Sequence, residues 1–599
     1  MDTLGSILHN PLLALSLAFA IALGFFALQQ WLFPTPEKSV PSFTVPLPAA
    51  CKSDWKGEEL LNPTVKVSGS SLIQCYCPAS GQLLGRINPV TRDGIDRAIA
   101  AASKAQKQWA KTSLTERKRV LKTVLRYILH NQEAIVTAAC RDTGKSRVDA
   151  IFGEIMVTTE KLQWTITNGE KAIKPSRRPT NFLMMYKKNT VAYEPLGVVT
   201  ALVSWNYPFH NALSPAIATL FTGNALVLKP SEQVAWSTAY FVSILRAALT
   251  ATGHSADLIQ NIPCWPNTAS HITSHPDISH ITFIGSRRVG HLVAASAAQS
   301  LTPTVIELGG KDPAIVLDTV ADSGSELSRV ADILMRGTFQ ASGQNCLGIE
   351  RIIATPRAYN ALLSVLPTAV RSLRQGDPLS DEPVDVGAMV SDAPFAELEA
   401  LIKDAVTHGA KLLAGGQAGK VSSAPNGHFF APTLLVDVTR EMRIAQVELF
   451  APVMVVMLAR GVDDVIAIAN STQYALGASV FGSAGSKDVR RVVKEVRAGN
   501  VSVNDFGVFY AVGMPFGGVG GSGYGRFGGE EGLRGLCNVK SICEDRFWGV
   551  KTPIPGPLRL PYDDVNEAWR VVRGVIEVGY ATGWMWWRGL GRVVGIIKS

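Results

Sequence analysis

Phe339-Gln340-Ala341-Ser342-Gly343-Gln344-Asn345-Cys346 ends on a thiol set among glycine and amide side chains. Upstream, Val305-Ile306-Glu307-Leu308-Gly309-Gly310-Lys311 closes an apolar run on a carboxylate followed by two glycines. A thiolate nucleophile and a separate carboxylate able to activate water suit covalent catalysis through a thioester. A lone cysteine is more often a small buried hydrophobe. The pair therefore counts only if the fold brings residues 307 and 346 together.

The elements that must do so are legible as an alternation. Apolar runs at 198–205, 225–228, 258–262, 281–284 and 304–308 read as strands, and helical segments at 211–221, 238–251 and 289–298 separate them. Strands alternating with helices predict a parallel sheet covered on both faces, with ligands at the carboxyl ends of its strands. Three of those ends carry polar chemistry. Trp205 and Asn206 place an indole and an amide after the first strand. Lys229-Pro230-Ser231-Glu232 offers a cation and a carboxylate that can hydrogen-bond ribose hydroxyls. Gly285-Ser286 opens a helix where phosphate could meet free N–H groups. This last stretch is not G-x-G-x-x-G and alone would read as a turn; the three ends together favour a dinucleotide. Earlier, amphipathic helices near 95–109 and 114–128 read as scaffold, the second with a capping box at Ser113-x-x-Glu116.

A chain of 599 residues is expected to divide into two or more domains. Hydrophobic residues at 47% and charged residues at 18% describe a globular composition with some membrane bias. The net charge of +9 comes without a long basic run, so nucleic acid is not an expected partner. Eight thinly spread cysteines read as reduced and mostly buried thiols. Only Cys75 and Cys77 are close, and a lone C-x-C does not make a metal site; no metal is expected.

Taken in order, LVSWNYPFHN (202–211), LVLKPSE (226–232), FIGSRRVG (283–290), VIELGGKDP (305–313), ASGQNC (341–346), ELFAPV (448–453) and MPFGGVGGSGYGR (514–526) resemble the NAD(P)-dependent aldehyde dehydrogenase superfamily over about residues 75–545. The likeness is to a divergent branch with an N-terminal hydrophobic segment. The resemblance implies a Rossmann-type cofactor domain, an α/β catalytic domain and a small bridging β-element. It implies Cys346 as nucleophile, Asn206 as oxyanion donor and Glu307 as the base that activates water. Trp205, Lys229, Ser231, Glu232, Gly285 and Ser286 match cofactor contacts, and Glu448 with Phe450 match the pair that positions the nicotinamide ribose. Lys311 reads as structural. A carboxylate at 307 favours hydrolysis to a free acid over transfer to coenzyme A, and Glu232 leans toward NAD over NADP. The family often has Lys within PFGG-x-K-x-S-G, where this chain has Val519-Gly520-Gly521-Ser522. An acylating or semialdehyde-type dehydrogenase, or a non-catalytic membrane scaffold of the same fold, is the alternative. Family habit implies a homodimer or homotetramer.

The ends of the chain carry a different signal. LLALSLAFAIALGFFAL at 12–28, followed by Trp31, approaches the ~20 residues that span a bilayer, and no basic n-region precedes it. It reads as a single-pass anchor, with Pro34, Pro36, Pro41, Pro46 and Pro48 as an extended tether. The tail from 550 holds seven Lys/Arg against four Asp/Glu together with Trp569, Trp584, Trp586 and Trp587, a composition suited to a membrane interface. The expected organisation is an anchor at 1–33, a tether at 34–60 and a cofactor domain at 61–179 and 195–307. The bridging element takes 180–194 and 527–549, the catalytic domain 308–526, and the basic Trp-rich tail 550–599. Location on an endomembrane, with the catalytic domain facing the cytosol, and lipid-derived aldehydes as substrates are the expectations drawn from that anchor.

Overall fold

The apolar runs from residue 198 onward form a six-stranded sheet. Its order is Ile259–Asn261, Ala225–Lys229, Val198–Leu202, His280–Ile284, Thr304–Glu307 and Gly523–Tyr524. The first five are parallel. Val198–Leu202 and Ala225–Lys229 are buried at every position, which is why they read as unbroken apolar runs. Strands are added outward from Val198–Leu202, and the chain then crosses back to lay His280–Ile284 on its other side. That reversal opens a crevice beyond the carboxyl ends of these two strands, where such sheets hold ligands. Helices Pro208–Thr222, Ala235–Ala251 and Arg287–Ala298 connect the strands. The first has Pro208 at its opening turn and ends on left-handed Gly223.

A second sheet of seven strands runs Lys411–Ala414, Thr433–Val436, Val453–Leu458, Arg351–Ala354, Pro313–Val316, Gly477–Phe481 and Asn500–Val503. All but the first pair in parallel. Separate apolar cores lie against its two faces. The chain passes from Thr304–Glu307 in one sheet to Pro313–Val316 in the other within a few residues. Glu307 therefore stands at the junction. A third, antiparallel sheet joins Ser176–Arg178, Lys187–Pro195 and Cys537–Asp545.

Two expected boundaries shift. Gly523–Tyr524, assigned to 308–526, pairs antiparallel with Thr304–Glu307 and so edges the cofactor sheet. Ser176–Arg178, assigned to 61–179, belongs to the bridging sheet. Strands of two and three residues are too short for an alternation to register.

The computed structural model describes residues 40–507, 511–549 and 552–597, with scattered helical positions between 20 and 28. The anchor expected at 12–28 thus lies largely outside the described residues and gains no support from the fold. Among the described residues, the stretch Glu232–Ala251 is long and apolar enough to cross a bilayer, but 61% of it is buried in the protein, as in a core helix. The C-terminal tail forms two helices, Val565–Tyr580 and Trp584–Ile597, which pack on each other. Buried Glu577 ties them by accepting from Arg588 at 2.5 Å and Arg592 at 2.6 Å.

Candidate active site

Helix Gly324–Phe339 delivers the thiol through an unusual turn. Ala341, Ser342 and Gly343 follow it with φ of 53°, 57° and 72°. A left-handed backbone costs about 1–2 kcal/mol at each non-glycine residue. Side chains from elsewhere hold it. Asp149 Oδ2 accepts the Ala341 N–H at 3.0 Å, while its Oδ1 pairs with Arg336 at 2.8 Å. The Ser342 hydroxyl donates to the Gly387 carbonyl at 2.9 Å, and Gln344 Oε1 accepts the Val390 N–H at 2.9 Å. Cys346 emerges half-buried at the edge of a cavity.

Glu307 meets it there. The carboxylate is 2% exposed, accepts the Gly309 N–H at 3.1 Å and stands beside the Cys346 thiol on the wall of the same cavity. Burial lifts the Glu307 carboxyl to about 7, against the downward pull of those two contacts. Burial also drives the Cys346 thiol well above its ordinary value, and the Glu307, Glu448 and Asp312 carboxylates push it further. The thiol is protonated at neutral pH, so a proton acceptor beside it matters.

The Asn206 amide is oriented by its neighbours. Its Oδ1 accepts from the Ser204 hydroxyl at 2.8 Å and from Asn211 Nδ2 at 3.2 Å. This leaves Nδ2 as the donor toward the Cys346 loop, where it reaches the Gln344 carbonyl at 3.2 Å. Among the described residues no acceptor takes the Cys346 N–H. Behind Asn206 sits a buried ion pair that sequence reading missed. Lys145 Nζ donates to Glu154 Oε1 and to the Asn206 carbonyl, each at 2.6 Å, and Glu154 Oε2 accepts the His210 N–H at 2.9 Å. Glu154 is placed by a π-helical turn, Ile151–Met156, a form often found near functional sites.

The crevice at the strand reversal is a cavity of ≈ 810 Å³ bordered by Trp205, Lys229, Ser231, Glu232, Gly285 and Ser286. Lys229 Nζ donates to Glu232 Oε1 at 2.6 Å, and the Ser231 hydroxyl accepts the Gln233 N–H at 3.3 Å. Among the described residues no side chain caps helix Arg287–Ala298, so its first-turn N–H groups stay open to an anion. A smaller cavity of ≈ 230 Å³ shares Trp205 and Ser286 with this crevice and is also lined by Glu307, Cys346, Glu448 and Phe450. Phe450, at φ 52°, meets Trp205 edge to face at 5.4 Å, and Glu448 Oε1 accepts the Gly310 N–H at 2.9 Å. Burial, then Glu350, raises the Glu448 carboxyl well above its usual range. All eleven residues singled out from the sequence border these connected spaces. Lys311 lies behind them, buried against Glu350 at 2.7 Å. Arg351 gathers the carbonyls of Lys311, Ile468 and Ala469.

Asp96, His271 and His275 also bring ligand-type atoms within 4.8 Å of one another. His275 Nδ1 accepts the Asp277 N–H, so its Nε2 carries the proton that faces Asp96. The trio is a hydrogen-bonded bridge between helices. Of the other seven cysteines, five are buried.

A doubly wound sheet whose crevice runs into a thiol–carboxylate pair fits a dinucleotide-dependent oxidoreductase that works through a covalent thioester. A model of the aldehyde dehydrogenase family matches residues 65–542, and the chain belongs to that family. It is 49% identical over 571 residues to an aldehyde dehydrogenase-like protein of Saccharomyces cerevisiae, covering 92% of this chain and 88% of that one. It is 31% identical over 498 residues to a betaine aldehyde dehydrogenase of Rhizobium leguminosarum, covering 83% of this chain and 97% of the relative. The crystal structure of a Mycobacterium tuberculosis aldehyde dehydrogenase complexed with NAD+ superposes with a TM-score of 0.73 at 28% identity, over 81% of this chain and 97% of that one.

Proposed function

We propose that the protein oxidises an aldehyde to its carboxylate with NAD+ and water, through a thioester on Cys346. The observation that carries this reading is that Cys346 and Glu307 stand side by side where the ≈ 230 Å³ cavity beside the cofactor crevice meets a second chamber. Glu307 takes the thiol proton, and Cys346 Sγ attacks the aldehyde carbon. The Asn206 amide and the Cys346 N–H receive the oxyanion; one such donor is worth about 10²–10³ in rate. Bound NAD+ supplies the acceptor for the hydride that leaves the tetrahedral carbon. Glu307, having released its proton, draws one from the water that opens the thioester. Lys229, Ser231, Glu232 and the open helix end at Ser286 hold ribose and phosphate, and Glu448 with Phe450 orients the nicotinamide end. Glu232 is placed to accept from ribose hydroxyls and would repel a 2′-phosphate, which supports NAD over NADP.

The ends of the chain bear on location. Trp569, Trp584 and Trp587 of the C-terminal hairpin are each about two-thirds exposed, with Arg570 and Arg588 on the same two helices. Rings and guanidinium groups of this kind suit a headgroup layer, so the hairpin is proposed as a membrane contact beside the apolar segment at 12–28. Lipid-derived substrates draw support from that hairpin alone. The chamber beside Cys346 measures ≈ 110 Å³, room for an aldehyde of a few carbons. Among the described residues nothing pairs with the outer edge of Cys537–Asp545, which suits pairing with a second copy of the chain.

The test is aldehyde-dependent NADH formation by the full chain in detergent. Cys346→Ala should abolish it, and Asn206→Ala should lower kcat by about 10²–10³. No NADH from a broad aldehyde panel would overturn the oxidation. Turnover only in the presence of coenzyme A would overturn the role of water.

A further inference from the structure

Four lysines are buried among the described residues: Lys145, Lys161, Lys229 and Lys311. Three of them hold a carboxylate, namely Glu154, Glu232 and Glu350. Lys161 holds none. It is 9% exposed, and no acceptor or ion-pair partner meets its ammonium group among the described residues. An unpaired buried charge is costly, and a lysine that could reach water would do so along its flexible stem. Lys161 instead lines the chamber that also contains Cys346, Glu307 and Asn206.

Its surroundings sort into apolar walls and a small polar group. Val157, Leu347, Met514, Phe516 and Phe527 give the chamber its hydrocarbon surface. Ser214 and His210 line the same space from helix Pro208–Thr222, one turn apart, across from Lys161 on helix Val157–Ile173. The Ser214 hydroxyl has no partner among the described residues, while His210 Nδ1 is engaged by the Thr158 hydroxyl at 2.9 Å. Burial lowers Lys161 to about 8, and burial together with that cation lowers His210 to about 3. At neutral pH the chamber thus holds one ammonium ion and a neutral imidazole.

We propose that Lys161, assisted by the Ser214 hydroxyl, receives an anionic group carried by the aldehyde itself, so that the preferred substrates are short aldehydes ending in a carboxylate or phosphate. The apolar walls take the carbons between the two ends. The aldehyde end reaches Cys346, and the far end supplies the counter-ion that the protein withholds from Lys161. This rests on the reading of the Cys346 chamber as the aldehyde site.

The experiment compares kcat/KM of the full chain for succinic semialdehyde, glyceraldehyde 3-phosphate and butanal. The wild type should favour one of the anionic aldehydes over butanal by at least about 10-fold, and the better of the two identifies the group. Lys161→Met should bring that ratio to about 1, chiefly through a KM for the anionic aldehyde raised about 10-fold or more. Lys161→Arg should restore part of it and so exclude a general folding defect. A wild-type preference for butanal, or equal losses on all three substrates in Lys161→Met, would overturn the proposal. A second readout needs no turnover: protection of Cys346 from iodoacetamide by succinate or by inorganic phosphate. Protection of the wild type but not of Lys161→Met would support the subsite even if aldehyde oxidation itself failed. No protection by either anion would overturn it.

Discussion

Glu307 is asked to be buried and to be a base, and these demands conflict. Burial raises its carboxyl from the ordinary 4.5 to about 7, so the acid limb of turnover should fall away as pH drops below about 7. Because the folded value lies above the unfolded one, ionisation opposes folding. That penalty is fully present above pH 7 and absent below about 4.5. Glu307→Gln should therefore slow the first burst of NADH together with the steady turnover, since the amide can take neither the thiol proton nor one from water. It should also raise Tm more at pH 8 than at pH 5, a gain of about 1–3 kcal/mol at the higher pH. A Tm gain of equal size at both values would show that the carboxyl is not held neutral by burial. At this scale the candidate catalytic residues were readable because each belongs to a motif that resembles the family's and has a chemical reason for its neighbours. Lys161 was not singled out, although a signal existed. Val157, Lys161 and Thr165 recur every four residues on the buried face of one helix, and a lysine on such a face asks for a partner.

At the level of elements, the thiol depends on a turn more than on a helix. Gly343 combines φ of 72° with a position where a Cβ would strike the Ala451 carbonyl. Gly343→Ala should cost at least about 2 kcal/mol and slow iodoacetamide labelling of Cys346 tenfold or more, since the loop must shift to admit the methyl group. Labelling at the wild-type rate would refute the view that this turn aims the thiol. The parallel strands were legible because burial on both faces forces unbroken apolar runs. Gly523–Tyr524 was not, because two residues carry no period. The π-helical turn at Ile151–Met156 was equally hidden. It sets Glu154 against Lys145 and the His210 N–H, and no local preference announces that pairing.

Over the whole molecule, the candidate site and the proposed membrane contact lie on different parts of the chain. The sheets and the site occupy the family-matched span, whereas the hairpin at 565–597 lies beyond it. Removing residues 552–597 should leave aldehyde oxidation in detergent within about twofold and weaken binding to anionic vesicles several-fold. Undiminished vesicle binding would remove the hairpin from the membrane surface. By itself the sequence pointed to the doubly wound architecture and to the strand ends that border the crevice and, through its resemblance to the family, to the candidate thiol, base and oxyanion amide. The architecture follows from local apolar patterning, and the candidates from motifs whose side chains have specific chemistry. Only the tertiary structure decided that Glu307 stands beside Cys346, that Lys145 braces Asn206, and that Lys161 has no counter-ion among the described residues of the chamber. Each of these depends on segments distant in sequence meeting at low dielectric, where the presence or absence of a partner sets both charge and reactivity.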